Sequence, residues 1–124
     1  MQNVLLTNDI ETSIQRAAGT HRYTLSHSYE GSAGTIAKIE SLVTWTVNAN
    51  NIVVGLAPST TTSINSSHYE WIGEIGGTQY LSGGKGYVHK YRNFKPKSNS
   101  TTFQIWCKGT FGSSSRPVES GGVI

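Results

Sequence analysis

His21-Arg22-Tyr23-Thr24-Leu25-Ser26-His27-Ser28-Tyr29 alternates with a period of two. In an extended chain His21, Tyr23, Leu25, His27 and Tyr29 share one face, while Arg22, Thr24, Ser26 and Ser28 share the other. That is the period of a strand, not of a helix. It returns at Val43, Trp45 and Val47, which alternate with Thr44 and Thr46, and at Phe103, Ile105 and Cys107, which alternate with Gln104, Trp106 and Lys108. Between these runs stand turn-forming clusters. Asn48-Ala49-Asn50-Asn51 reads as a turn into a strand Ile52–Leu56, and Ser82-Gly83-Gly84-Lys85 reads as a hairpin turn. Gly76-Gly77 has the same look, with Tyr69–Ile75 before it and Thr78–Leu81 as a return strand. The segment Thr35–Leu42 carries Ile36, Ile39 and Leu42 at a spacing that also suits a helix, and it reads as strand beside its neighbours. Pro96 ends the strand Tyr87–Phe94, because it has no N–H for a ladder.

One helix is expected near the N-terminus. Asp9 caps it, Ile10, Ile14, Ala17 and Ala18 form its apolar stripe, and Gly19 stops it. The fold class is therefore all-β: a single β-sandwich or small barrel of about eight antiparallel strands with one short N-terminal helix. Residues 1–111 form this domain. Residues 112–124, rich in Ser and Gly, read as an arm that is flexible or ordered by assembly.

Composition bounds the function classes. Charged residues make up 14% of the 124, against roughly a quarter in an average soluble domain. Their place is taken by 16 Ser, 14 Thr, 14 Gly and 8 Asn, residues suited to pleated surfaces and turns. This mix resembles that of extracellular, phage-type and surface-assembly β proteins. The net charge of +3 and pI near 9.1 are only mildly basic, which weighs against a strong nucleic-acid binder. A single cysteine, Cys107, excludes an intrachain disulfide framework. No apolar run reaches membrane-span length, and Met1–Thr7 lacks the basic and apolar regions of a signal peptide. The expected setting is extracellular or surface-associated, with no signal peptide visible in the chain. Asn65-Ser66-Ser67 and Asn99-Ser100-Thr101 fit the glycosylation pattern, which chance supplies in so Ser/Thr-rich a chain.

The stretch from Lys85 to Lys97 holds five of the ten Lys and Arg residues: Lys85, Lys90, Arg92, Lys95 and Lys97. Tyr87, His89, Tyr91 and Phe94 are threaded among them. Rings that stack and cations that meet phosphates or carboxylates make this a candidate binding strand, with Trp106 as a further exposed ring. The competing reading is an edge strand whose lysines block unwanted pairing. His68, Glu70 and Glu74 share a strand face, but Glu70 and Glu74 stand about 13 Å apart along a strand, too far to share a proton. Cys107, alternating with Phe103 and Ile105, reads as a small buried hydrophobe rather than a nucleophile. No ligand spacing for a metal and no phosphate loop is present, so no cofactor is expected.

Two fragments, Tyr69-Glu70-Trp71 and Tyr87-Val88-His89-Lys90-Tyr91-Arg92-Asn93-Phe94, resemble pieces of the small fungal guanyl-specific ribonucleases. Those enzymes carry a Tyr-x-His-Lys-Tyr strand and, further on, a Tyr-Glu-Trp strand whose glutamate is the base. The resemblance implies Glu70 as base, His89 and Tyr87 assisting, and Arg92 on phosphate, in a small secreted RNA-cleaving enzyme or toxin. Here the two pieces stand in reverse order, no later histidine follows His89, and that family's disulfide cysteines are absent. Family membership does not follow from these fragments. The favoured function is a non-enzymatic binding or self-assembly module, a homo-oligomer able to exchange Val4–Leu6 or its C-terminal arm. The RNA-cleaving enzyme and a glycan-binding module, with Trp106 stacking on sugar, are the alternatives, so the partners weighed are a second copy, an anionic polymer or a glycan.

Overall fold

A computed structural model describes residues 18–114 and 116–124 of the chain. Seven strands are seen among them: β1 (Gly19–Gly31), β2 (Gly34–Val47), β3 (Val53–Ile64), β4 (Tyr69–Ser82), β5 (Lys85–Pro96), β6 (Phe103–Phe111) and β7 (Val118–Val123). They form two antiparallel meanders, a three-stranded sheet β1-β2-β3 and a four-stranded sheet β4-β5-β6-β7. No helix long and apolar enough to cross a membrane occurs among the described residues.

The period-two pattern explains why the sheets close face to face. Along β2, Ala37, Ile39, Ser41, Val43, Trp45 and Val47 are all buried, and the residues between them are not. Opposite lie Val88 and Phe94 from β5 and Ile105, Cys107 and Phe111 from β6, also buried. At one end the Trp45 ring tilts against Phe111, with centroids 4.8 Å apart, and Trp45 Nε1 donates to the Gly112 carbonyl at 2.9 Å. At the other end Phe94 sits among Tyr29, Tyr69, Trp71 and Phe103. Among the described residues one polar side chain is fully buried, Ser41, and its hydroxyl is paired with Thr60 Oγ1 at 3.0 Å, which offsets its desolvation.

The turns follow their residues. Gly83 and Gly84 both adopt positive φ in the two-residue β4–β5 hairpin, as a type I′ turn requires. Asn48 Oδ1 accepts from the N–H of Asn50 and of Ile52, and Asn51 takes the left-handed conformation that Asn tolerates.

Four expectations are corrected. Gly76-Gly77 is not a hairpin turn: β4 runs on from Tyr69 to Ser82, with a bulge between Ile72 and Gly76. These glycines instead permit close approach. The Tyr91 ring lies on Gly76, and a Cβ on Gly77 would fall 2.0 Å from the His89 carbonyl. Secondly, β5 is not an edge strand, since β4 and β6 flank it. Thirdly, within the tail read as a flexible or assembly-ordered arm, Val118–Val123 pairs with β6 of the same chain and completes the four-stranded sheet. Finally, about eight strands become seven among the described residues. The helix expected from Asp9 lies outside the described residues except at its end, where Ala18 is not helical and Gly19 opens β1.

Gly109 shows how tightly the sheets meet. A Cβ there would stand 2.8 Å from Leu25 Cδ2 and 2.9 Å from the Phe111 ring. Gly109→Ala is expected to lower unfolding stability by about 1–3 kcal/mol through overpacking. Gly112, with open space where its Cβ would go, serves as the control, and Gly112→Ala should stay within about 0.5 kcal/mol of wild type in urea titration.

Candidate functional site

Strand alternation divides the cationic stretch between two faces of the four-stranded sheet. Val88 and Phe94 point into the core, and Lys90 and Arg92 share their side. Both of these cations are engaged. Lys90 Nζ donates to Gln79 Oε1 at 2.8 Å. Arg92 lies opposite the β4 bulge, where its Nε donates to the Gly73 carbonyl at 3.0 Å. Its Nη1 donates to Thr62 Oγ1 of the other sheet at 2.7 Å, and its guanidinium stacks 4.6 Å from the Trp71 ring centre. Arg92 therefore ties the two sheets together rather than facing solvent.

The outer face carries Tyr87, His89 and Tyr91, joined across the register by Tyr80 and Thr78 of β4 and by Trp106 and Lys108 of β6. Tyr80 and Tyr87 stack, with centroids 5.0 Å apart and planes 16° off parallel. His89 packs against both Tyr91 and Trp106, with 5.9 Å between centroids in each case. The Trp106 ring lies over Gly122 of β7, whose missing side chain makes room for it. Gln104 Nε2 donates to Asn93 Oδ1 at 3.1 Å on the same face.

Two hollows of about 200 Å³ each open on this face. One is lined by Thr78, Tyr80, Tyr87 and Thr110, the other by Gln104, Trp106 and Ile124, and both share His89 and Lys108. No Asp or Glu side chain lines either one. Burial, with the nearby Lys108 ammonium, pulls the His89 imidazole below its ordinary value. His89 is thus a neutral hydrogen-bonding ring at pH 7.

No protein-family model matches the chain, and neither the curated proteins nor the solved structures hold a match to it. What the protein can do rests on this geometry alone.

The structure gathers Tyr87, His89, Tyr91 and Trp106 from the sequence-based candidates and separates the others. Glu70 lies across from Lys95, and their side chains form an ion pair at 3.0 Å. His89 is six residues from Lys95 along β5, roughly 20 Å away, so Glu70 and His89 do not meet. Lys85 sits at the β4–β5 turn, and Lys97 lies just past the end of β5. Sequence reading puts Gln104 and Lys108 on the Trp106 side of their strand, but it offers neither as a site residue and does not connect Tyr80 with them. The available signal was the alternation in β6, which puts Lys108 on the side of Trp106; the register that brings them beside His89 is long-range.

Among the described residues no three His, Cys, Asp or Glu side chains gather as a metal site needs. Cys107 is buried, and desolvation, reinforced by the Glu119 charge, pushes its thiol up to about 11. A native-state thiol reagent at pH 8 should leave it unmodified over hours, with full labelling only in denaturant. His89 gives a pH signature. Its lowered value means the unfolded chain binds the proton more readily, so this contribution to stability is present above about pH 6.5 and is lost as pH falls through the folded value. The drop in Tm between pH 7 and pH 5 should be smaller in His89→Gln than in wild type.

Proposed function

We propose that this protein is a non-enzymatic binding module and that its ligand is a glycan held on the outer face of the four-stranded sheet. The observation that carries this reading is Trp106, laid over Gly122 and lining a hollow with His89, Gln104 and Lys108. An indole lying along a sheet offers an apolar plane to the C–H face of a sugar ring. Around it, Gln104, Asn93, Thr78 and Thr110 supply amide and hydroxyl groups suited to sugar hydroxyls.

Two observations favour this over RNA cleavage. Glu70 is engaged by Lys95 and stands far from His89, so the base and its partner are not assembled. Lys90, Arg92 and Lys95 are also spent within the fold, which leaves few cations for a polyphosphate backbone.

The test is titration with a panel of oligosaccharides, followed by Trp fluorescence and calorimetry. Binding should perturb Trp106 emission, and Trp106→Ala should weaken affinity about tenfold, or ~1.4 kcal/mol. Trp45→Phe, which removes a buried indole, should leave the ligand-induced signal in place. A panel without any binder would retire the reading.

A further inference from the structure

The hollows around His89 and Lys108 continue into a third. Thr110 lines both the Tyr80–Tyr87 hollow and one of about 230 Å³ formed with Lys85, Ser113, Ser114 and Arg116. The three adjoin in a row through shared residues, with His89 and Lys108 at one junction and Thr110 at the other. They make one elongated track across the outer face, from the Trp106 end to the Arg116 end.

The charged side chains along this track are all cationic. Lys108 stands between the first two hollows, and Lys85 and Arg116 line the third. Among the described residues the side chains of these three cations make no ion pair; the two ion pairs there are Lys38–Glu40 and Lys95–Glu70. Not one Asp or Glu lines any of the three hollows. Glu119 is turned away, for its carboxylate accepts a hydrogen bond from the Tyr23 hydroxyl of the facing sheet. Lys90, Arg92 and Lys95 differ in that each has a side-chain partner within the chain.

Resting on the glycan reading above, we infer that the ligand is a linear acidic oligosaccharide, laid along this track with its anionic groups at Lys108 and at the Lys85–Arg116 end. The anionic groups are carboxylates or sulfates, which share the chemistry that a lysine ammonium and a guanidinium recognise. The ring of Trp106 takes a sugar face between the charges. Threonine and serine hydroxyls at Thr78, Thr110, Ser113 and Ser114 meet the ring hydroxyls. His89, at the junction of the first two hollows, offers a ring nitrogen for a hydrogen bond. A single-stranded RNA fits less well, because Tyr80 and Tyr87 cover one another's faces and are not open to successive bases.

The experiment compares three tetrasaccharides, a neutral chitin fragment, an oligogalacturonate carrying carboxylates and a heparin fragment carrying sulfates, with a short poly-uridine RNA. The expected result is that at least one acidic sugar binds tenfold or more tightly than the neutral one at low salt. That margin should shrink several-fold on raising salt to 0.5 M. Lys108→Gln and the double variant Lys85→Gln/Arg116→Gln should each cut acidic-sugar affinity three- to tenfold, while Lys38→Gln, on the opposite sheet, should not. The carboxylate and sulfate arms identify which anion is read. Neutral and acidic sugars binding equally, or an affinity insensitive to salt and to Lys108, would overturn the inference while leaving the glycan reading intact. Binding of RNA in preference to every sugar would overturn both.

Discussion

Trp45 is the contact on which closure of the two sheets depends. Its ring is fully buried, faces Phe111 of β6 across the sandwich, and lies 5.3 Å from His21 of its own sheet. Its indole N–H reaches the Gly112 carbonyl, just beyond the end of β6. One side chain thus fixes both the separation of the sheets and the point where the chain leaves β6 toward β7. Gly109, two residues before Phe111, has no side chain because Leu25 and the Phe111 ring occupy that space. With no disulfide available to the chain's single cysteine, this interlocked layer is the source of stability.

A second constraint governs the cationic strand. Because β5 lies between two neighbours, each of its side chains belongs to one of two environments. Arg92 goes to the inner side and spans the β4 bulge, the Trp71 ring and Thr62 of the facing sheet. A guanidinium held by two hydrogen bonds and a ring is structural, whatever its charge suggests in a one-dimensional reading. Tyr87 and His89 go to the outer side, where the neighbouring strands add Tyr80, Trp106 and Lys108. The binding face therefore belongs to the sheet and not to the strand.

Glycines at cross-strand positions tune that face. Gly76 and Gly122 let the Tyr91 and Trp106 rings lie over adjacent strands instead of standing away from them. In the sequence the same glycines resemble turn signals, and Gly76-Gly77 carries every local feature of a hairpin. What overrides those features is the pairing of β4 with β5 on both sides of the bulge, a tertiary effect. The resemblance of Tyr69-Glu70-Trp71 and Tyr87–Phe94 to ribonuclease strands has a similar explanation. Both segments do pair in one sheet, but in a register that sets Glu70 against Lys95 and far from His89.

The sequence by itself determined the all-β class, the strand character of β1, β2 and β6, the glycine turn at Gly83-Gly84 and the burial of Cys107. These are local matters: a period of two, turn chemistry and the company a residue keeps within its own strand are all written in consecutive residues. Only the tertiary structure decided that β5 is interior, that Val118–Val123 completes its sheet, and which side chains share the outer face. Strand order and register depend on hydrogen bonds between residues distant in the chain, and period-two patterns are compatible with many of them. The same limit explains why Arg92 stands among the sequence-based candidates and Lys108 does not. Charge is legible in one dimension, but whether it is spent inside the fold or left facing solvent is settled by what lies across the sheet.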